Sequence, residues 1–411
     1  MAARQRPLRV AVVAEYYPRP SDPALGVWAH RQAMAVQAHG VEVRVLALER
    51  PLPPLGTLRG GPAALREWLR GARGVPRAAV LDGITVRYVR FVSPPRPVAY
   101  ATWGRWAARP LGRALDELAR EWPFDVVHAH YAVPAGDAVL RWLRRPGRPP
   151  LVVSVHGGDL SFRARRPERW RAVVRRTLRG ADAVIANSLS TRRGVEDVTG
   201  PLFRLDTIHL GADLRPGATR RAEPTLTTVA HLVPHKGQSD VIRALAALRD
   251  RHPRLRYVVI GKGPERQALE QLAHELDVAD RVEFLGPLPH ERALDEMARC
   301  HVHAMPSSHE PFGVAHIEAM AAGLVAIGGA GTGARDIADA GEGIVLVPPG
   351  DETVLAQEID RLVTDDGERE RLSLAARATV AAHFTWKRNG ERTAALYREL
   401  VKHRKGAPNG P

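Results

Sequence analysis

Short apolar runs rich in β-branched residues alternate with runs of helical periodicity, and this alternation constrains the fold more than any other feature of the chain. It is typical of a parallel sheet covered by helices. The pattern lapses once, around residues 213–224, where Arg, Pro and Gly are concentrated, and then begins again. A chain of 411 residues is also longer than one compact core usually spans. The sequence therefore predicts an α/β fold with two Rossmann-like domains, residues 1–215 and 216–384, followed by a helix and tail at 385–411.

Two such series in tandem predict two domains that face each other across a cleft. Ligands bind beyond the carboxyl ends of such strands. In the first domain we expect strands at 9–14, 41–47, 84–91, 125–128, 151–155 and 183–186, with helices at 27–39 and 112–121. In the second we expect strands at 226–230, 256–260, 281–285 and 301–305, with helices at 238–249 and 264–276. A last helix is predicted at 385–403.

Positive charge is concentrated in the first half of the chain. Residues 1–216 contain 35 Arg, no Lys and 18 acidic residues, a net charge of about +17, whereas the remainder carries about −2. This asymmetry favours an anionic partner: a membrane surface, a phosphorylated acceptor or a nucleic acid. The alternative is that these arginines are solvated surface residues. A nucleic-acid partner is disfavoured, because no aromatic stacking platform or known motif accompanies the charge.

The predicted location is cytoplasmic. No run of about 18 apolar residues is present, so no transmembrane helix is expected. Cys300 is the only cysteine, which fits a reducing compartment. Residues 162–179 carry many arginines, with Trp170 and Leu178 on one apolar stripe. A basic amphipathic helix of this kind can lie on an anionic membrane, so peripheral attachment at the inner membrane face is a further expectation. An ordinary covering helix is the alternative.

The segment 305–323 carries the clearest functional signal. A helix is predicted from about Pro311 to Gly323, because proline favours the first turn and glycine commonly ends a helix. Its N-terminus would offer free N–H groups and a positive dipole end, which suit a diphosphate. Glu310 and Glu318, eight residues apart, would be separated by about 12 Å along the axis if both were helical. The two carboxylates are therefore predicted to contact opposite ends of one extended ligand.

Glu310-x7-Glu318, within the string Pro-Ser-x-x-Glu-Pro-Phe-Gly-x-x-x-x-Glu-Ala-Met-Ala-x-Gly, resembles the donor-site signature of glycosyltransferase family 4. That family contains retaining enzymes of the GT-B architecture. The resemblance extends over most of the chain and includes residues 125–130, 155–159, 232–237, 259–264 and 284–286. It implies that the final helix crosses back to the first domain.

The resemblance also implies roles for individual residues. His130 and Glu310 would be catalytic, and His156 and Asp159 would lie on the acceptor side. The donor would be bound by Gly26, His231, Lys236, Gly237, Phe312, Gly313, Val314 and Glu318.

The chain departs from the usual pattern of the family at two positions. The family usually has an arginine where this chain has His231, and a Gly-Gly pair where it has Leu25-Gly26. His128 and His130 are two residues apart at the end of a predicted strand, so they point to the same side. Purely structural histidines are the alternative there. His303 lies on a predicted core strand and is expected to be buried.

The function implied is retaining transfer of a sugar from a nucleotide diphosphate sugar to a hydroxyl acceptor, a glycan or lipid-linked precursor. No Asp-x-Asp pair occurs in the chain, and Lys236 with the helix dipole would stabilise the leaving diphosphate, so no metal or other cofactor is expected. Front-face displacement is favoured, and a covalent route through a carboxylate stays open. The alternatives are a non-catalytic nucleotide-sugar-binding protein and a nucleotide-sugar epimerase on the same scaffold.

Overall fold

The computed structural model describes residues 6–20, 22–53, 57, 61–63, 65, 66, 69, 76–143, 147–160 and 167–406. These residues form two compact units. The first contains the described residues up to His209 together with those from Asn389 onward, and the second is Leu210–Arg388.

The described part of the first unit contains an eight-stranded sheet in the order β3-β4-β2-β1-β5-β6-β7-β8. All neighbours are parallel except β3, which is antiparallel to β4. The strands are β1 (Leu8–Ala14), β2 (Val41–Glu49), β3 (Ala78–Leu81), β4 (Ile84–Arg90), β5 (Val126–His130), β6 (Leu151–Val155), β7 (Ala183–Ala186) and β8 (Leu205–Thr207).

Helices cover this sheet, and the last helix of the chain is one of them. In the described part of the unit, the α-helices with defined bounds are Val27–Gln37, Arg96–Ala99, Trp103–Glu121, Asp137–Trp142, Glu168–Arg179, Leu189–Thr199 and, from the C-terminal segment, Trp386–Gly406. Leu396, Tyr397 and Leu400 of the last helix are buried in one apolar cluster with residues of β1 and β2. The predicted return of this helix to the first domain is therefore confirmed.

The second unit contains a six-stranded parallel sheet among its described residues, in the order β11-β10-β9-β12-β13-β14. Its strands are β9 (Thr225–Val229), β10 (Arg256–Ile260), β11 (Val282–Gly286), β12 (Val302–Met305), β13 (Val325–Gly329) and β14 (Ile344–Val347). Its helices are Gln238–Ala247, Arg266–Glu275, His290–Ala298, Val314–Ala321, Ala334–Ala340, Glu352–Thr364 and Asp366–His383.

Each sheet reverses its strand order once. In the first sheet the reversal lies between β1 and β5, and in the second between β9 and β12. Connections leave such a pair of strands in opposite directions, which opens a crevice beyond their carboxyl ends where ligands bind. The topology therefore directs attention to the loops after β1 and β5 and to those after β9 and β12.

Two predicted boundaries were wrong in ways that affect function. The helix expected from about Pro311 begins at Val314, because Gly313 takes a left-handed conformation (φ 98°) that interrupts helical geometry. Only Glu318 is therefore helical, so the separation argued from two helical carboxylates does not apply. The strand expected at 125–128 is Val126–His130, so His130 is the last residue of β5.

The arginine-rich helix Glu168–Arg179 turns its apolar stripe toward the core. Trp170 and Leu178 are 7% and 0% exposed and belong to the main apolar cluster of the first unit. The ordinary covering helix is thus the correct interpretation of this stripe, while residues 162–166 of the predicted segment lie outside the described residues. Among the described residues, no helix has the length and apolarity that crossing a membrane requires.

Candidate functional site

The loops after β9 and β12 are joined by an ion pair. The loop after β9 contains the short 3-10 turn Pro234–Lys236, and the loop after β12 contains Glu310. Lys236 Nζ lies 2.5 Å from Glu310 Oε2, and the two side chains are 18% and 10% exposed. The backbone N–H of Ser308 also donates to the carbonyl of His235 at 3.0 Å. Charge and backbone contacts together hold the two loops in one arrangement.

Gly313 permits the tight turn that follows Glu310. Its φ of +98° lies in the region that favours glycine, and a Cβ there would stand 2.5 Å from Cδ2 of His316. The carbonyl of Glu310 accepts a hydrogen bond from the N–H of Gly333 at 2.7 Å. The glycine directs the chain into the helix Val314–Ala321, whose N-terminus therefore lies next to the ion pair.

Glu318 lies in this helix and has a partner that the sequence did not reveal. His290 Nε2, at the start of the helix His290–Ala298, is 3.3 Å from Glu318 Oε1. The two side chains are 25% and 16% exposed. The carboxylate is thus largely buried. Helical periodicity alone could not identify His290, because the contact depends on how two separate helices pack.

The remaining predicted donor residues of the second unit lie near the ends of its strands and helices. Gly237 follows Lys236 directly and precedes the helix Gln238–Ala247. His231 is exposed, and its Nδ1 lies 3.3 Å from the carbonyl of Lys262. Val314 is the first residue of its helix.

Phe312 has a buried side chain. It is 1% exposed, and its ring centroid lies 5.7 Å from that of Phe384. The ring therefore belongs to the core of the second unit, and only the backbone of Phe312 is left to face a ligand.

Two buried histidines lie near the ion pair. The rings of His303 and His316 are 5.2 Å apart, and both residues are fully buried. Burial lowers the pKa of His303 to about 3 and that of His316 well below its ordinary value, and the charge of Lys236 acts in the same direction. Both rings are neutral at physiological pH, so Lys236 is the cationic side chain of this corner. The expected burial of His303 is confirmed.

A second group of polar residues lies at the carboxyl ends of β5 and β6 in the first unit. His130 Nδ1 is 3.0 Å from His156 Nε2, and the two rings stack with centroids 5.2 Å apart. His128 contacts Tyr397 Oη at 2.6 Å and Ser154 Oγ at 2.7 Å. Burial lowers the pKa of His128 and of His156 to about 3 and that of His130 well below its ordinary value. His128 therefore has a structural role, whereas His130 and His156 form a neutral hydrogen-bonded pair.

Asp159 and Gly26 belong to the same unit. Asp159 is 1% exposed, and its Oδ1 accepts a hydrogen bond from the N–H of Ala132 at 3.0 Å. Gly26 precedes the helix Val27–Gln37, and a Cβ there would lie 2.2 Å from the carbonyl of Tyr16. That close approach excludes any side chain at Gly26, since no real Cβ contact is so short.

The structure thus brings the predicted residues into two groups. Lys236, Gly237, Glu310 and Gly313 form one corner of the second unit, and Gly26, His130, His156 and Asp159 lie in the first unit. Sequence reasoning missed Glu15, Tyr16 and Arg96, which lie beside the second group. Glu15 and Tyr16 could have been found, because they directly follow β1. Among the described residues, no group of three or more His, Cys, Asp or Glu side chains could hold a metal ion.

Family models match nearly the whole chain. Residues 25–215 match the model described as Glycosyltransferase Family 4, and residues 213–379 match Glycosyl transferases group 1. The chain belongs to glycosyltransferase family 4. The first match contains His130, and the second contains both Glu310 and Glu318.

This family 4 glycosyltransferase is similar to curated proteins over its whole length. It is 28% identical to a glycogen synthase of Mycobacterium tuberculosis, over 95% of this chain and 94% of the relative. It is 29% identical to a D-inositol 3-phosphate glycosyltransferase of Stackebrandtia nassauensis, over 98% of this chain and 94% of the relative. The two relatives act on different acceptors, so family membership does not identify the acceptor.

Solved structures share the fold of this glycosyltransferase. Sucrose-phosphate synthase from Thermosynechococcus elongatus superimposes with a TM-score of 0.76 at 22% identity, over 96% of this chain and all of that one. HepE from Anabaena, solved in complex with UDP-glucose, gives a TM-score of 0.70 at 19% identity, over 95% of this chain and all of that one. The predicted fold class, two Rossmann-like α/β units of the GT-B type, is confirmed.

Proposed function

We propose that this glycosyltransferase moves a sugar from a nucleotide diphosphate sugar to a hydroxyl group of a glycan or lipid-linked acceptor. Transfer retains the anomeric configuration and needs no metal ion. The observation that carries the proposal is the Lys236–Glu310 ion pair, which lies at the reversal point of the second sheet and beside a helix N-terminus.

The corner offers what a leaving diphosphate needs. Lys236 supplies a cation, and the helix Val314–Ala321 supplies the backbone N–H groups of its first turn and the positive end of its dipole. Fixed charges and dipoles of this kind stabilise developing negative charge without reorganising during the reaction. This arrangement supports donor binding through the diphosphate and a metal-independent departure.

The two glutamates suit the two ends of such a donor. Glu310 lies in the loop beside Lys236 and is placed to accept hydrogen bonds from sugar hydroxyls. Glu318 lies one turn after the first residue of the helix Val314–Ala321, beside His290, and would accept hydrogen bonds from ribose hydroxyls. The complex of HepE with UDP-glucose supports a nucleotide-sugar donor for this fold.

Front-face displacement accounts for retention without a carboxylate nucleophile. The departing phosphate oxygen would then assist removal of the acceptor proton. By its family resemblance, we assign His130 to the donor sugar.

The test is a panel of UDP- and GDP-linked hexoses. We expect one donor to stabilise the protein in a thermal-shift assay, since a ligand at 100 times its Kd stabilises by about 2.7 kcal/mol. The same donor should give slow acceptor-independent release of nucleoside diphosphate that survives EDTA. Glu310→Gln should abolish this release while still binding nucleoside diphosphate, and Lys402→Ala, on the final helix, is the matched control.

Two outcomes would contradict the proposal. Full activity in Glu310→Gln would remove the assigned site. Release of an epimerised nucleotide sugar in place of nucleoside diphosphate would indicate an epimerase. NMR analysis of the product's anomeric carbon tests retention separately.

A further inference from the structure

A cavity of about 140 Å³ lies beyond the carboxyl ends of β1, β5 and β6 in the first unit. The reversal point of the first sheet, between β1 and β5, opens beside it. The cavity is lined by four aromatic side chains, one arginine, one aspartate and one glycine: Tyr16, Trp28, Arg96, Tyr100, Tyr131, Gly158 and Asp159. Topology and lining both make it a candidate binding site.

Arg96 lines the cavity with its charge already compensated. Its guanidinium donates to Glu15 Oε2 and to Tyr16 Oη, both at 2.7 Å, and lies 4.9 Å from the ring centroid of Trp103. Its Nε is buried and has no hydrogen-bond partner among the described residues. Arg96 therefore contributes a spare N–H donor, while its guanidinium is already hydrogen-bonded to Glu15.

Asp159 contributes the opposite kind of group. One carboxylate oxygen accepts from the backbone N–H of Ala132, but Oδ2 is buried and has no hydrogen-bond partner among the described residues. A buried polar atom without a partner is costly, so such atoms are usually satisfied by a ligand or water. A hydroxyl group both donates and accepts, and neighbouring hydroxyls on one ring could satisfy Asp159 and Arg96 together.

The local electrostatics disfavour an anion in this cavity. Burial raises the pKa of Glu15 and of Asp159 to about 7, opposed in both cases by the charge of Arg96. These raised values mean that negative charge is already poorly stabilised there. A phosphate group would add further negative charge beside two carboxyl groups that share one arginine. A neutral ligand has no such penalty.

The size and the walls of the cavity favour a single ring. Pockets that hold drug-sized ligands measure roughly 300–1,000 Å³, whereas this one is about 140 Å³. Tyr16 and Tyr131 meet edge to face with centroids 5.3 Å apart, and Trp28 lies 6.4 Å from Tyr16. Aromatic faces pack well against the C–H groups of a sugar or cyclitol.

We propose that this cavity binds one neutral polyhydroxylated ring, a sugar or a cyclitol, as the unit of the acceptor that the enzyme recognises. The assignment of this ring to the acceptor rests on the proposed function. The binding of a neutral ring in the cavity does not depend on it. The preference for a neutral ring also predicts that the acceptor specificity of this chain differs from that of a transferase that recognises a phosphorylated ring.

The experiment measures binding of free rings by saturation-transfer-difference NMR on the full chain. The probes are glucose, mannose and myo-inositol, each compared with a monophosphate of the same ring. We expect at least one neutral ring to bind at least tenfold more tightly than its phosphate. Asp159→Ala should weaken that binding about tenfold, because a buried hydrogen bond to the ring is lost. Asp197→Ala, an exposed aspartate of the same unit, should leave it unchanged.

Asp159→Asn keeps an acceptor for the Ala132 N–H and serves as a second variant if Asp159→Ala does not fold. Tighter binding of the phosphates, equal binding by both Asp159 variants and wild type, or no binding of any neutral ring at 50 mM would overturn the inference. Nucleoside diphosphate binding and donor hydrolysis are measured on the same samples. If these fail while a neutral ring binds, the proposed function is wrong and the cavity is still a polyol site.

Discussion

Lys236 Nζ lies 2.5 Å from Glu310 Oε2, so the cation and the carboxylate that we propose for the donor site are each other's partners. In the proposed site, a diphosphate competes with Glu310 for Lys236, and this competition would couple phosphate binding to the availability of the carboxylate.

Loss of Lys236 should weaken binding of the diphosphate and spare the nucleoside. We expect Lys236→Ala to lower the affinity for a nucleoside diphosphate about 10- to 100-fold, because a charge-assisted hydrogen bond contributes about 1.5–3 kcal/mol. Affinity for the corresponding nucleoside should not change. Isothermal titration of both ligands measures the difference, with Lys402→Ala as control. Equal losses for both would show that Lys236 does not contact the phosphates.

The ion pair should also be visible in stability. Lys236→Met leaves Glu310 only 10% exposed and without its cation, so we expect a loss of about 1–3 kcal/mol in the free energy of unfolding of the second unit. Lys236→Met combined with Glu310→Gln should recover most of it, since the uncompensated charge is gone. Urea unfolding of the wild type, of Lys236→Met, of Glu310→Gln and of the double variant gives the coupling. Purely additive losses would mean that the pair does not interact in solution.

Gly313 should tolerate no side chain. Gly313→Ala combines a φ of +98° with a contact of 2.5 Å to His316, and strain of this kind costs about 1–3 kcal/mol. Gly331→Ala shares the positive φ (+74°) but meets nothing within 4 Å, and therefore isolates the conformational part. We expect Tm to fall further in Gly313→Ala than in Gly331→Ala, and nucleoside diphosphate binding to weaken only in Gly313→Ala. Similar effects in both variants would assign the cost to φ alone.

Stability should depend on pH through Asp159. Burial raises its pKa from 3.8 to about 7, so between these values the folded protein holds a proton that the unfolded chain has released. The free energy of unfolding should therefore fall as pH rises from about 4 to about 7, and level off above. Glu15 acts in the same direction. Asp159→Asn should make the fall shallower in urea unfolding at pH 5 and pH 7.5, whereas Asp197→Asn should reproduce the wild-type slope.

Much of the scaffold follows from periodicity. The strands at 151–155, 183–186 and 256–260 were predicted to the residue, because short buried parallel strands are continuous apolar runs bounded by loop residues. The strand β3, the strands β13 and β14 and the helices Glu352–Thr364 and Asp366–His383 were not predicted. β3 is only four residues long and alternates in exposure at the sheet edge, so its signal is weak.

The site was predictable only in part. Lys236 stands in one recognisable motif, and Glu310 and Glu318 stand in another. Loops at strand ends are also expected to carry function. The salt bridge between Lys236 and Glu310 spans 74 residues, and Arg96 reaches Glu15 across 81. Such contacts depend on which strands become neighbours and on how helices pack, and neither can be inferred from the local sequence. His290 was missed for the same reason.

The chain leaves the first unit after His209 and re-enters it at Asn389, so the entire second unit is inserted within the first. During synthesis, the apolar surface that receives Leu396, Tyr397 and Leu400 is made early, but its cover emerges from the ribosome only after the second unit has been completed. The hydroxyl of Tyr397, which contacts His128, is likewise synthesised only after the second unit. A nascent chain that is released before residue 389 would therefore contain the whole second unit, but its first unit would lack the final helix.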